Sequence, residues 1–177
     1  LIDYVLLNQH TVCKDWLNWN TAWWRGRNPN GGAQKWRYAL WDMDATFGHY
    51  TNYTGIPNVG PSADPCDVEA PSVDDPQGHI DIMVALFKNP NFKALYINRY
   101  ADLLNSSFSC DYMNKLLDTL TNEIEPEMNR QCQRWGGNFN SWKNNVQGVH
   151  NFINARCISI DQSVVDCYDV DGPFKLT

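Results

Sequence analysis

The chain has 177 residues, a length that fits one ordinary domain. Its 14 Lys and Arg against 20 Asp and Glu give a net charge of −6, which argues against a dedicated nucleic-acid-binding protein. A hydrophobic fraction of 43% can build a core. The sequence contains no run of about 18 apolar residues, which a membrane span would need. We therefore expect a folded, acidic domain with no nucleic-acid partner and no membrane-spanning segment.

The first half of the chain predicts a helix, a short strand and a long loop. The dense apolar pattern over 1–12 indicates a buried helix, and a polar, Trp-rich stretch follows over 13–35. A short apolar run over 38–41 predicts a strand that ends at an acidic motif. The Pro-, Gly- and Asp-rich segment 49–78 predicts a loop, and loops of such length are often functional.

The second half of the chain predicts helices. The spacing of apolar residues favours two helices over 80–87 and 92–104, separated near Asn89 and Pro90. Ser109 is the expected cap of a third helix, which Pro126 should kink or restart. A last helix is expected from Ser141. The fold class predicted is mainly α with a small β element, in one domain over 1–160 followed by an irregular tail over 161–177.

Six scattered Cys limit the cellular compartment and the kind of metal site. They contain no Cys-x-x-Cys pair, so their spacing does not fit a zinc ribbon. Their even number is compatible with three disulfides of open pairing, whereas buried free thiols of a cytosolic protein are the alternative. Glycosylation-type triplets begin at Asn52 and Asn105. We expect an extracytoplasmic protein, either secreted or on the surface of a cell or spore.

Four polar residues near the front of the chain form a candidate metal and phosphate site. Asn20 follows Asp15 by five positions, and Asp42 and Asp44 follow the predicted strand. This order and spacing is typical of protein-kinase-type phosphoryl transfer, in which a loop Asp orients the hydroxyl, and an Asn and a second Asp bind Mg²⁺. Carboxylate and amide oxygens are the ligands that a hard cation prefers.

Each of these residues also has a purely structural interpretation. Asp15 could cap a helix that begins at Trp16, and Asp42 and Asp44 could form a polar turn. Trp41 and Phe47 flank the second pair, and their apolar bulk is expected to hold it rigid.

The sequence around these residues resembles the CotH kinase-like family, named for a bacterial spore-coat protein H. The resemblance is carried by Asp15-Trp16-x-x-x-Asn20 and, most specifically, by Trp41-Asp42-x-Asp44-x-x-Phe47-Gly48. Segments 86–93 and 99–104 and a late helix with Phe152-Ile153-x-x-Arg156 extend it over most of residues 1–160.

The resemblance implies an atypical secreted protein kinase that uses ATP and Mg²⁺ or Mn²⁺ to phosphorylate Ser in protein substrates. By that likeness, Asp15 would be the catalytic aspartate and Asn20 a metal-binding amide. Asp42 would bridge metal and phosphates, with Asp44 as a second ligand. Arg134 and Arg156 also match family-like positions, and we expect them to form structural ion pairs between helices.

A kinase of this kind needs a nucleotide-binding lobe before the catalytic loop, with its own phosphate-binding Lys. Only 14 residues precede Asp15, and neither Lys14 nor Lys35 follows a predicted strand in the required place. We therefore expect a C-lobe-like fragment without that lobe, inactive by itself.

Two other function classes remain open. The Asp42-x-Asp44-x-Thr46 pattern also fits haloacid-dehalogenase-type phosphatases, which predicts a parallel sheet around the motif. A non-catalytic surface, structural or carbohydrate-binding module is the other, because several Trp crowd the first 41 residues and exposed rings can stack on sugars.

Overall fold

A computed structural model describes residues 1–17, 20–49, 51–53, 55–65, 75 and 77–172. Within these ranges the protein contains five helices and one two-stranded sheet. The prediction of a mainly α fold with a small β element is therefore confirmed. The elements in chain order are α1 (Ile2–His10), β1 (Ala22–Trp24), β2 (Arg37–Ala39), α2 (His79–Phe87), α3 (Pro90–Leu104), α4 (Cys110–Trp135) and α5 (Phe139–Tyr168).

The main core surrounds α1, whose sequence is apolar on several faces. Helix α1 packs on α3, and α3 also packs on α2. The C-terminal half of α5 closes the same core, which explains why α1 needs almost no polar face. The buried residues that form this core include Leu6, Met83, Tyr96, Tyr100, Ile160 and Tyr168.

The two short strands pair as an antiparallel ribbon. Trp23 lies opposite Tyr38, and Trp24 lies opposite Arg37. Strand β2 ends at Ala39, two residues earlier than the sequence predicts, and β1 was not predicted at all. No parallel pairing occurs in the described part of the chain, which removes the sheet that the phosphatase alternative requires.

Polar side chains mark where α3 and α5 begin. The Asn89 side chain accepts hydrogen bonds from the backbone N–H groups of Asn91 and Phe92, and Pro90 takes the first helical position. Asn138 caps α5 in the same way, so this helix begins before the predicted Ser141.

Helices α4 and α5 pack against each other on the outside of the core. No residue of α4 is buried, and a disulfide joins Cys110 at its start to Cys157 in α5. The predicted restart at Pro126 is wrong, because α4 is one element through this position. Pro126 and Asn122 are exposed, so water can bond the carbonyl that a proline leaves without a donor.

The predicted irregular tail is also wrong over 161–168, which is the last part of α5. Val164 and Tyr168 continue the buried face that starts at Ile160, with the spacing of four that a helix needs. Residues 173–177 lie outside the described part. None of the helices described is both long and apolar enough to cross a membrane.

Candidate functional site

Two loops lie side by side at the front of the molecule. One follows α1 over residues 11–17, and the other follows β2 over residues 40–49. The Lys14 N–H donates to the carbonyl of Ala45 (2.8 Å), and the Phe47 N–H donates to the carbonyl of Thr11 (2.9 Å). These backbone bonds hold Asp15 beside the acidic motif, although the two are far apart in sequence.

The predicted pair of Asp15 and Asn20 is in direct contact. The Asn20 amide nitrogen donates to Oδ2 of Asp15 (2.8 Å) and to its backbone carbonyl (3.0 Å). The other carboxylate oxygen of Asp15, Oδ1, is buried and has no hydrogen-bond partner. No helix begins at Trp16, so the helix-cap interpretation of Asp15 is wrong.

The charges of the acidic motif act on Asp15. Burial raises the pKa of the Asp15 carboxyl, the hydrogen bond from Asn20 opposes this, and the negative charges of Asp44 and Asp42 raise the pKa further. The structure therefore brings all four predicted residues into one neighbourhood. Asp42 and Asp44 themselves are exposed.

The chemistry of these side chains fits a hard divalent cation that is partly held by a phosphate. An unpaired, buried carboxylate oxygen and repelling carboxylates are both relieved by a cation. No group of three or more His, Cys, Asp or Glu is arranged as a complete metal site in the described residues. Mg²⁺ is usually bound by one or two carboxylates with phosphate oxygens and water, rather than by an all-protein cage.

The backbone around the site adopts uncommon conformations. Of the five non-glycine residues with positive φ in the described chain, four border these two loops. Three of these, Val12, Leu17 and Phe47, are bulky side chains for which such a φ is costly. Asp42, with φ 52°, is the fourth. Such conformations persist where the surrounding structure holds them, and they are often found at functional sites.

The apolar residues around the site differ from the prediction in one respect. Trp16, which follows Asp15 in the chain, is buried, and the Phe47 ring packs on that of Phe152. Trp41 is 65% exposed, so the prediction that it holds the acidic motif rigid is wrong. Gly48 completes the packing, because a Cβ there would lie 3.1 Å from the Phe152 ring.

Two residues next to Asp15 were not assigned a role from sequence. Lys14 is buried, which lowers the pKa of its amine, and its carbonyl accepts a hydrogen bond from the Tyr53 N–H (2.8 Å). Burial raises the pKa of the Cys13 thiol to about 11, so this group is protonated at neutral pH and is a poor nucleophile. From the sequence, Cys13 was considered only as one of six possible disulfide partners and Lys14 only as an available cation.

A groove of about 860 Å³ extends from Asp44 to the first half of α5. Its lining combines polar, aromatic and aliphatic side chains, and Asp44 is the one carboxylate among the described lining residues. No local sequence pattern could indicate this groove, because its lining joins segments about a hundred positions apart. Its lining includes Thr46, His49, Leu117, Trp142, Asn145 and Asn151.

The remaining family-like residues are structural. Arg156 is buried and donates to the carbonyls of Gln9 (3.2 Å), His10 (3.1 Å), Pro61 (2.9 Å) and Ala63. It thus binds backbone carbonyls, where the sequence led us to expect an ion pair between helices. Arg134 is exposed and lies 5.0 Å from the centre of the Trp135 ring.

The cysteines do not form three disulfides. Cys110 and Cys157 are bonded to each other, and Cys167 is also disulfide-bonded. Cys13 and Cys132 are free thiols.

Comparison with known families places this arrangement. The profile of the family described as CotH kinase protein matches residues 1–160. The chain belongs to the CotH kinase family. All four residues of the candidate site lie within the matched range, which ends inside α5. No curated protein and no solved structure matched the chain. The family assignment confirms the resemblance to this family that the sequence shows. The geometry of the site in this CotH kinase family member comes from the protein itself.

Proposed function

We propose that this protein provides the catalytic aspartate and the metal side of an atypical protein kinase, which transfers the γ-phosphoryl group of ATP to Ser in a protein substrate. The observation that carries the proposal is the hydrogen-bonded pair of Asp15 and Asn20, held beside Asp42 and Asp44. Membership of the CotH kinase family supports the reaction class.

Asp15 is suited to orient and deprotonate the acceptor hydroxyl. Its Oδ2 is fixed by Asn20, while its Oδ1 is buried without a protein partner and can accept a hydrogen bond once a bound substrate reaches it. Burial and the neighbouring carboxylates raise its pKa, which makes it a stronger base than an exposed aspartate. The position of Asp15 therefore fits a general base.

Asn20, Asp42 and Asp44 are the residues that would hold Mg²⁺ or Mn²⁺ with ATP. The two bonds to Asp15 use the amide nitrogen of Asn20 and leave its oxygen for a metal. A metal bound there would neutralise charge on the phosphates. In its absence the site keeps the repulsion that raises the pKa of Asp15.

The groove beside Asp44 is suited to the protein acceptor. It begins at a proposed metal ligand and continues along α5. Its amide and aromatic side chains can bond and pack against an extended peptide, placing a Ser near Asp15.

An extracytoplasmic location is part of the proposal. The disulfide between Cys110 and Cys157 supports it, because disulfides persist in oxidising compartments.

The test is phosphate transfer by the natural full-length protein, measured with γ-labelled ATP, Mg²⁺ or Mn²⁺ and a mixed protein acceptor. We expect Asp15→Asn and Asp42→Asn each to reduce transfer by about a hundredfold or more. Asp102→Asn, an exposed change on α3, is the matched control and should leave transfer unchanged. Undiminished transfer in both site variants would show that the site is wrongly assigned.

A further inference from the structure

The β1–β2 ribbon, defined here as residues 22–41, exposes an unusual number of aromatic rings. Trp23 and Trp24 are each 47% exposed, Trp36 is 59% exposed and Trp41 is 65% exposed. These are four of the eight Trp of the chain. Large exposed aromatic patches mark interaction sites more often than inert surface.

Several of these rings are held in place although they face solvent. The Arg25 guanidinium lies 5.0 Å from the centre of the Trp36 ring, and that of Arg37 lies 5.4 Å from Trp24. Trp23 contacts the buried His79 ring edge to face, with centres 4.9 Å apart. These Trp side chains therefore lose little conformational entropy when a ligand stacks on them.

The ribbon is also basic in an acidic protein. It carries Arg25, Arg27, Lys35 and Arg37 and not one Asp or Glu. Since the whole chain has 14 Lys and Arg against 20 Asp and Glu, the rest of the molecule has 10 against 20, a net charge of −10. All four cations are exposed. The positive charge is thus concentrated where the aromatic rings are.

We propose that the ribbon binds an acidic polysaccharide containing uronic acid units. The apolar C–H faces of pyranose rings stack on the exposed indoles, and the carboxylates pair with the guanidinium groups beside them. One surface thereby recognises both properties of the polymer, its ring faces and its regularly spaced charges.

Other partners fit the ribbon less well. A neutral or basic protein surface fits less well, because it offers no carboxylates to pair with the four exposed cations of the ribbon. A nucleic acid carries a higher density of negative charge than a polyuronate. The net charge of −10 on the rest of the molecule therefore repels a nucleic acid more strongly.

The test measures binding of hexagalacturonate to the full-length protein by calorimetry and by Trp fluorescence. The methyl-esterified hexamer is the matched ligand control, because it keeps the rings and loses the charges. We expect hexagalacturonate to bind, the ester to bind about tenfold more weakly, and binding to weaken as salt is added.

Trp36→Ala and Arg25→Ala should each weaken binding of hexagalacturonate by about tenfold. The matched protein controls are Trp135→Ala and Arg134→Ala, which remove a similar exposed pair on α4 and should not change binding. Thermal unfolding checks that each variant is folded, and Arg37→Ala provides a second test of the ribbon.

Three results would overturn the proposal. These are no binding of hexagalacturonate, an equal loss of binding in the α4 controls, or tighter binding of single-stranded DNA or polyglutamate. The inference is independent of the proposed kinase function, because Asp42→Asn should reduce phosphate transfer by about a hundredfold or more and leave glycan binding unchanged.

Discussion

Asp15 is held in an environment that opposes its charge. It is partly buried, one of its oxygens has no partner, and Asp42 and Asp44 repel it. The single hydrogen bond from the Asn20 side chain offsets only part of this, since the pKa of Asp15 is still raised. A residue kept at some cost to stability is typical of a functional site.

We therefore predict that Asp15→Asn stabilises the protein at neutral pH. The pKa of Asp15 in the native protein is above its ordinary value of 3.8. Ionisation of this carboxyl therefore destabilises the fold as the pH rises through 3.8, and the effect is complete above the native pKa. The variant should therefore have a higher free energy of unfolding than the wild type at pH 7. Denaturant unfolding at pH 7 and pH 3 measures this, and the gain should vanish at the lower pH. A variant less stable than the wild type at pH 7 would contradict it.

At the scale of elements, α4 and the first half of α5 differ from the core helices in how little of their surface is buried. No residue of α4 is buried, and the buried residues of α5 begin at Phe152. The disulfide from Cys110 to Cys157 joins the start of α4 to the part of α5 that packs on the core. It therefore connects α4 to the core through α5, in addition to the disulfide formed by Cys167 near the end of α5.

The double substitution Cys110→Ala and Cys157→Ala should lower the free energy of unfolding by about 3 kcal/mol. The bond spans 47 positions, and its loss enlarges the ensemble of the unfolded chain. Thermal unfolding of both forms checks this. Cys132→Ala is the control, because it removes a free thiol and should change stability by about 0.5 kcal/mol or less. An equal effect of both substitutions would show that the disulfide does not stabilise the pair.

The sequence predicted those elements whose local signals agree. Helices α2 and α3 have apolar periodicity and an Asn-Pro boundary, and both lie as expected. Strand β1 was missed because three residues are too few for a periodic signal, and its pairing with β2 is a tertiary property. The end of α5 was missed because its Ser and Asp residues obscure the buried positions Val164 and Tyr168.

The site was predictable in its residues and not in its geometry. The spacing of Asp15 and Asn20, the acidic motif after a predicted strand and the family resemblance together identified these two residues, Asp42 and Asp44 as candidates. The bonds that bring the two loops together are between backbone groups, so no side-chain pattern in the sequence reports them. The groove along α5 was not predictable either, because its lining residues come from segments that are far apart in the chain.

At the scale of the whole molecule, Arg156 joins three distant segments. Its guanidinium group bonds carbonyls at the end of α1 and in the 61–63 loop, while its backbone lies in α5. The loop that carries Asp15 follows directly from the end of α1 that Arg156 holds.

Arg156→Met should reduce the free energy of unfolding by about 3 kcal/mol, because buried carbonyls lose their charged donor. Arg134→Met is the matched control and should stay within about 0.5 kcal/mol of the wild type, since its side chain is exposed. Chemical denaturation of the two variants compares them directly. Equal effects would mean that the carbonyl bonds of Arg156 contribute little.

Stability should fall as the pH is lowered below about 6.5. His10 is buried against Tyr100, Phe108 and Arg156, and burial with the charge of Arg156 lowers the pKa of its imidazole to about 3. The unfolded state therefore binds a proton that the native state does not, which costs about 2–3 kcal/mol at pH 4.5. Unfolding free energies across this range measure the slope.

His10→Gln should flatten that slope while leaving the smaller effect of His79, whose pKa burial also lowers. Protonation of Asp15 has the opposite effect, because it raises stability as the pH falls. This effect is confined to pH values near 3.8 and above. A wild-type slope that persists unchanged in His10→Gln would contradict the assignment.

The reach of Arg156 has a consequence for the order in which the protein matures. The guanidinium group that fixes the end of α1 is 146 positions further along the chain than His10, which it contacts. A chain made from its N-terminus therefore exposes Asp15 long before the side chain that holds its loop has been synthesised. The acidic site can take its final form only after α5 has been made and docked, so an incomplete nascent chain cannot hold this arrangement.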